Sequence, residues 1–203
     1  MKNTVIFDLD GTLYPRNNKF FSFLEIKTQN YMMKMKPNLT LEKFEKMEKS
    51  IPNLLDALKY LELDKNKFYK DVYEDINYEE FFKEDKKLKN MLENINTINL
   101  IVTMSANRQV EEISKLLGID KYIERGYSPE QLDINSKEEI YIKILKEYCV
   151  SPKNCFVIGD DYEIDIEPAI RLGINNIYIT NKQDTKDADF VVKNIYEALN
   201  IIK

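Results

Sequence analysis

Val5-Ile6-Phe7 is a short apolar run that ends on Asp8. A continuous apolar run of this length fits a strand buried on both faces of a parallel sheet. From Tyr14 to about Asp85 the pattern changes. Phe44, Met47, Ile51, Leu54, Leu55 and Leu58 recur at helical spacing, and the stretch holds no glycine and no strong β run. Pro37 and Pro52 punctuate it, the second placed for a helix start. The pattern predicts a small helical bundle.

Strand and helix signals then alternate. Helices are predicted over 85–94, 107–117, 137–148, 164–172 and 195–202. Strands are predicted over 98–102, 122–126, 155–158, 177–179 and 190–192. In the second of these helices Val110, Ile113, Leu116 and Leu117 share a face, and Gly118 follows its end. Such alternation implies an α/β fold, a Rossmann-like doubly wound parallel sheet. The helical stretch is then an insert after the first strand. It gives a core of residues 1–15 and 86–203 and an inserted helical-bundle cap of 16–85, with no internal repeat.

Ligands of open α/β sheets bind beyond the carboxyl ends of the strands. Three strands here end in oxygen-bearing residues: Asp8 and Asp10, Thr103 and Ser105, and Asp160, Asp161 and Asp165. In a parallel sheet all three sets share one edge. So many carboxylates repel one another unless a cation neutralises them, and hard oxygen ligands favour Mg²⁺. Taken singly, each set has a plainer reading: Thr103 as a helix cap, Asp161 or Asp165 as first-turn helix acids. An EF-hand reading of Asp8 onward fails, because Leu13 stands where that loop needs glycine. Gly159-Asp160-Asp161 lacks the lysine of a P-loop and the glycines of a dinucleotide fingerprint.

Composition narrows the chemistry further. The chain has no histidine, which excludes histidine-based triads, zinc sites and general bases. Net charge is −5 with a pI of about 5.1, so the basic field that nucleic-acid polymers need is missing. Cys149 and Cys155 form neither a disulfide framework nor a metal spacing, and read as two reduced, buried thiols of a cytoplasmic protein. Neither a signal peptide nor a membrane span is expected.

FDLDGTLYP, residues 7–15, resembles the first motif of the haloacid dehalogenase-like superfamily, a DxD after a buried strand. The other motifs follow in that superfamily's order. Thr103 closes LIVT like the second motif. Lys137 leads into the helix where the third-motif lysine belongs. GDDYEID, residues 159–165, resembles the fourth. Met104 stands where the second motif commonly continues with Asn, and Lys137 is followed by Glu138 where Pro is common. A shift of two residues would put Asn135 in the third-motif place, leaving Lys137 a solvent-facing lysine. DLDGTLYP, residues 8–15, the helical insert and the segment YEEFFKEDKKLKNML resemble most the pyrimidine 5′-nucleotidase-like group.

The resemblance implies a phosphatase with Mg²⁺ as cofactor. Asp8 would attack phosphorus and become an aspartyl-phosphate. Asp10 would protonate the leaving oxygen and then deprotonate water; the dehalogenases of the superfamily lack it. Thr103, Ser105 and Lys137 would contact the phosphate. The metal would be bound by Asp8, the Asp10 carbonyl and Asp160, with Asp165 or Asp161 in support. The expected partner is a small phosphomonoester, a nucleoside monophosphate first and phosphoglycolate or a sugar phosphate next, handled by a monomer or homodimer. A phosphomutase, and a non-catalytic binding protein on the same fold, stand as alternatives.

Overall fold

The structure is a computed structural model and describes residues 2–16, 18–51, 53–130, 132, 134, 136–182 and 187–202. Pro52 and Asn135 lie outside the described residues. Strand β1 (Asn3–Phe7) is followed by four helices, α1 (Lys19–Met35), α2 (Leu41–Ser50), α3 (Leu54–Tyr60) and α4 (Lys65–Tyr73). Then come α5 (Lys86–Glu93), β2 (Thr97–Val102), α6 (Asn107–Leu117), β3 (Arg125–Tyr127), α7 (Lys137–Glu147), β4 (Cys155–Gly159), α8 (Glu167–Arg171), β5 (Asn175–Ile179), β6 (Phe190–Val192) and α9 (Ile195–Ile202).

The strands form one sheet in the order β3-β2-β1-β4-β5-β6, every neighbouring pair parallel. Alternation along β1 sorts its side chains. Val5 and Phe7 join one apolar cluster with Leu88 of α5, Ile113 of α6 and Leu199 of α9. Ile6 joins a second with Ile140 of α7 and Ala169 of α8. Helices therefore cover both faces, as a doubly wound sheet requires. The first cluster runs on into the insert through Phe20, Met32, Leu58 and Phe68. Each of α1–α4 opens on an Asn, Thr or Asp whose side chain accepts a first-turn N–H: Asn18, Thr40, Asn53 and Asp64. Gly118 closes α6 in the left-handed conformation. Among the described residues no helix is long and apolar enough to cross a membrane.

Three details differ from the sequence reading. The third strand begins later than residue 122. Asp120–Tyr122 is a 3₁₀ turn, and β3 pairs Arg125, Gly126 and Tyr127 with Leu100, Ile101 and Val102. This register buries Tyr127 in the second cluster, while Ile123, before the strand, packs partly buried against the first. The helix expected over 164–172 is two pieces, a π-turn at Tyr162–Ile166 and then α8. Pro168 has no N–H to continue the ladder, so the regular helix can start only around it. Finally, Cys149 is exposed, not buried; it takes the left-handed conformation just beyond α7, a place outside the core. Cys155 is buried as expected.

Candidate active site

Neighbouring strands β2, β1 and β4 deliver their carboxyl ends side by side. Asp8 N donates to Ile158 O at 2.9 Å and Thr103 N to Tyr127 O at 3.1 Å, so each residue leaves the sheet directly after its last ladder bond. Gly11 turns the chain at φ 94°, and a Cβ there would overlap the Asp160 carboxylate. Only glycine allows the Asp8–Asp10 loop to lie against Asp160.

Lys137 holds the centre of the cluster. It sits in the first turn of α7, 4% exposed, and its ammonium bonds Asp8 Oδ1 at 2.6 Å and Asp165 Oδ1 at 2.5 Å. Burial pulls this ammonium down, but the charges of Asp165 and Asp8 outweigh burial and hold it well above the usual lysine range. The solvent-facing alternative for this side chain is therefore not what the fold adopts. Asp165, 1% exposed, also accepts from Asp161 N at 3.1 Å. Burial raises the pKa of Asp165 despite Lys137, and raises that of Asp160 despite Arg16.

Asp10 faces a different set. Its Oδ2 accepts from Thr103 Oγ1 at 3.1 Å and Ser105 Oγ at 2.9 Å. Its Oδ1 accepts from Gln109 Nε2 at 2.5 Å and from the Tyr14 hydroxyl. Burial, then the charge of Asp8, pushes the Asp10 carboxyl up, and the hydroxyls of Tyr14, Ser105 and Thr103 pull the other way. Burial keeps Tyr14 a phenol, hence a donor. Two adjacent carboxylates thus have distinct surroundings. Asp8 is paired with a cation, whereas Asp10 has no cationic partner among its contacts: burial and the Asp8 charge favour its protonation, and the neutral donors around it oppose that. Thr103 is not a helix cap; its hydroxyl accepts from Ser105 N at 3.0 Å.

Asp8, Asp160 and Asp165 each offer a carboxylate oxygen, and these oxygens lie within 4.8 Å of one another. Hard oxygens this close, two of the three carboxylates buried and Asp160 half-buried, fit a small divalent cation such as Mg²⁺, whose ligands lie at about 2.0–2.1 Å. Asp161 does not join them: its carboxylate accepts from Glu163 N and Ile164 N as the N-cap of the π-turn, while Asp165 is the one that stands as a first-turn acid. Tyr14, Arg16 and Gln109 are additions that motif and pattern did not single out. Arg16 bonds the Asp160 carboxylate across the edge. Tyr14 lies inside the FDLDGTLYP stretch and could have been suspected from its place; Gln109 carries no sequence signal.

The family described as haloacid dehalogenase-like hydrolase matches the chain over residues 5–179. No curated protein matches it. Solved structures share the fold. A HAD phosphatase from Thermococcus onnurineus is 18% identical with a TM-score of 0.67, over 99% of this chain and 97% of that one. A magnesium-bound protein from Bacillus subtilis is 14% identical with a TM-score of 0.64, over 100% and 99%. A beta-phosphoglucomutase from Clostridium difficile is 18% identical with a TM-score of 0.60, over 97% and 93%. At such identities the likeness is one of fold.

Proposed function

The chain belongs to the haloacid dehalogenase-like hydrolase family, and from that premise we propose that it is a Mg²⁺-dependent phosphatase of small phosphomonoesters with Asp8 as nucleophile. The observation that carries the reading is the division of labour at the sheet edge. Asp8 is ion-paired with buried Lys137 and stands beside Asp160 and Asp165, while Asp10 sits apart in its ring of neutral donors.

In the reaction an Asp8 oxygen attacks phosphorus, forming a P–O bond to the enzyme as the ester P–O bond breaks. Protonated Asp10 gives its proton to the departing alkoxide. The same carboxylate then takes a proton from water, which attacks the aspartyl-phosphate, frees inorganic phosphate and returns Asp8. Thr103, Ser105 and Lys137 contact the phosphoryl oxygens, and Lys137 holds Asp8 in line. Asp8, Asp160, Asp165 and the Asp10 carbonyl would hold Mg²⁺, with Asp161 in support through its N–H to Asp165, and the ion would supply the positive charge that lets an anionic ester approach a carboxylate.

Gln109 suits both states of Asp10. Its Nε2 donates to the carboxylate, and its Oε1, unpaired among the described residues, can accept from the carboxylic acid if the amide turns over. Gln109→Leu keeps the buried volume and removes both functions. It should lower kcat by about 10–100-fold with KM little changed; a kcat within a factor of two of the parent would remove Gln109 from the mechanism.

Helices α1–α4, within residues 16–85, act as a cap over a core of 1–15 and 86–203. Support for this comes from a cavity lined by side chains of both parts, Phe21 and Phe44 with Asp10 and Ser105. The enzyme works as a cytoplasmic monomer or homodimer without nucleic-acid or membrane partners. A panel of phosphate esters with Mg²⁺ tests the activity, starting from nucleoside monophosphates, then phosphoglycolate and sugar phosphates. Glucose 1-phosphate is followed by NMR, because isomerisation without phosphate release would identify a mutase. EDTA should abolish turnover and Mg²⁺ restore it, with Ca²⁺ a poor substitute because its looser coordination misplaces Asp8. Full activity in EDTA would refute the metal requirement.

A further inference from the structure

The cavity over the sheet edge measures about 350 Å³, and its lining restricts what can leave with the alcohol oxygen. Asp10 and Ser105 line it and Asp8 does not. If Asp10 protonates the leaving oxygen, the organic part of the ester occupies this space. Its walls are apolar: Phe21, Leu24, Met47, Leu54 and Met104 come from α1, α2, α3 and the end of β2. The polar groups in the lining are mostly committed elsewhere. Ser105 Oγ donates to Asp10, Asn53 Oδ1 accepts the first N–H groups of α3, and Arg16 is paired with Asp160 and stacked on Phe21. The buried Tyr73 phenol also lines the cavity and is bonded to Ser105, so among the described residues Thr28 and the Asn53 amide nitrogen are left as the uncharged groups free to bond a ligand. The remaining charged groups of the lining, Glu25 and Glu48, are exposed acids that repel an anionic substituent.

We propose that the substrate is the phosphomonoester of an apolar alcohol, aromatic or aliphatic and free of negative charge, and not of a polyol or a hydroxy acid. The inference rests on the phosphatase reading and narrows it. A sugar or ribose would bury several hydroxyls against carbon, each at a cost of roughly tenfold in affinity, and the carboxylate of phosphoglycolate would meet Glu25 and Glu48. An apolar body of one or two rings fills a cavity of this size and gains from every methylene it buries.

The test uses the full chain with Mg²⁺ and esters of similar leaving-group acidity. 2-Phenylethyl phosphate should exceed glucose 6-phosphate, phosphoglycolate and AMP in kcat/KM by at least about tenfold. Leu54→Asn, on the half-buried cavity wall, should remove that advantage by lowering kcat/KM for 2-phenylethyl phosphate at least about tenfold more than for glucose 6-phosphate. A polyol, nucleoside or carboxylated ester that equals 2-phenylethyl phosphate overturns the proposal, as does an equal loss on every ester in Leu54→Asn. Calorimetry with the inert 2-phenylethylphosphonate and phosphonoacetate separates the two readings. Tighter binding of the first with no ester turned over sinks the phosphatase and keeps the pocket; equal or absent binding sinks the pocket.

Discussion

Asp8→Asn should reduce turnover by at least about 10⁴-fold and leave the protein folded. The substitution keeps the side chain's shape and an oxygen that can still accept from Lys137, now 2.6 Å away. What it removes is the negative charge and the nucleophilic oxygen pair. Three carboxylates crowd one small volume here, so the loss of one charge relieves repulsion, and the unfolding midpoint should be unchanged or higher. The measurements are steady-state rates across the ester panel, denaturant unfolding, and intact mass after a rapid acid quench. The parent should show the mass of one added phosphoryl group and the variant none. A phosphorylated Asp8→Asn protein, or one that keeps a tenth of the parent rate, would end the nucleophile assignment.

Lys137→Ala should damage two properties at once. For catalysis, the attacking carboxylate loses the cation that holds it and the phosphoryl oxygens lose a positive contact, and kcat should fall by about 10²–10³-fold. For stability, Asp8 and Asp165 stay buried without their shared ammonium. Breaking a buried pair from one side typically costs about 3–5 kcal/mol, because the abandoned charges are far from water. Urea unfolding in EDTA measures that cost, and repeating it with Mg²⁺ should recover part of it, since a divalent cation takes over some of the neutralisation. Near-normal turnover would move the role to another cation. Normal stability in EDTA would mean that the two carboxylates protonate at little cost when the lysine is gone.

Much of the framework was legible because strong local signals agreed with the global arrangement. The run Val5-Ile6-Phe7 is buried on both faces, and the parallel order then places Asp8, Thr103 and Asp160 together with no further assumption. Contacts made by folding at long range were not legible. Arg16 reaches Asp160 across 144 positions, and Gln109 reaches Asp10 across 99. No periodicity reports such pairs. Nor could spacing tell that Ile51 and Leu54 line a cavity while Leu55 and Leu58 are packed in the bundle, since an apolar stripe does not reveal what faces it. The third strand and the π-turn were misplaced for a related reason. Their bounds depend on burying Tyr127 and on the missing N–H of Pro168, both decided by tertiary context.

Met104 sits between two residues whose hydroxyls bond Asp10. Its own carbonyl accepts from the Tyr69 hydroxyl of α4 at 2.7 Å, while its side chain lines the cavity. Every residue type presents that same carbonyl, so the tie to α4 places no demand on the side chain. Mutational drift and laboratory libraries therefore meet opposite tolerances at three consecutive codons. Positions 103 and 105 should accept almost nothing, whereas position 104 should accept many side chains, each yielding a protein with intact chemistry and a different appetite for substrates.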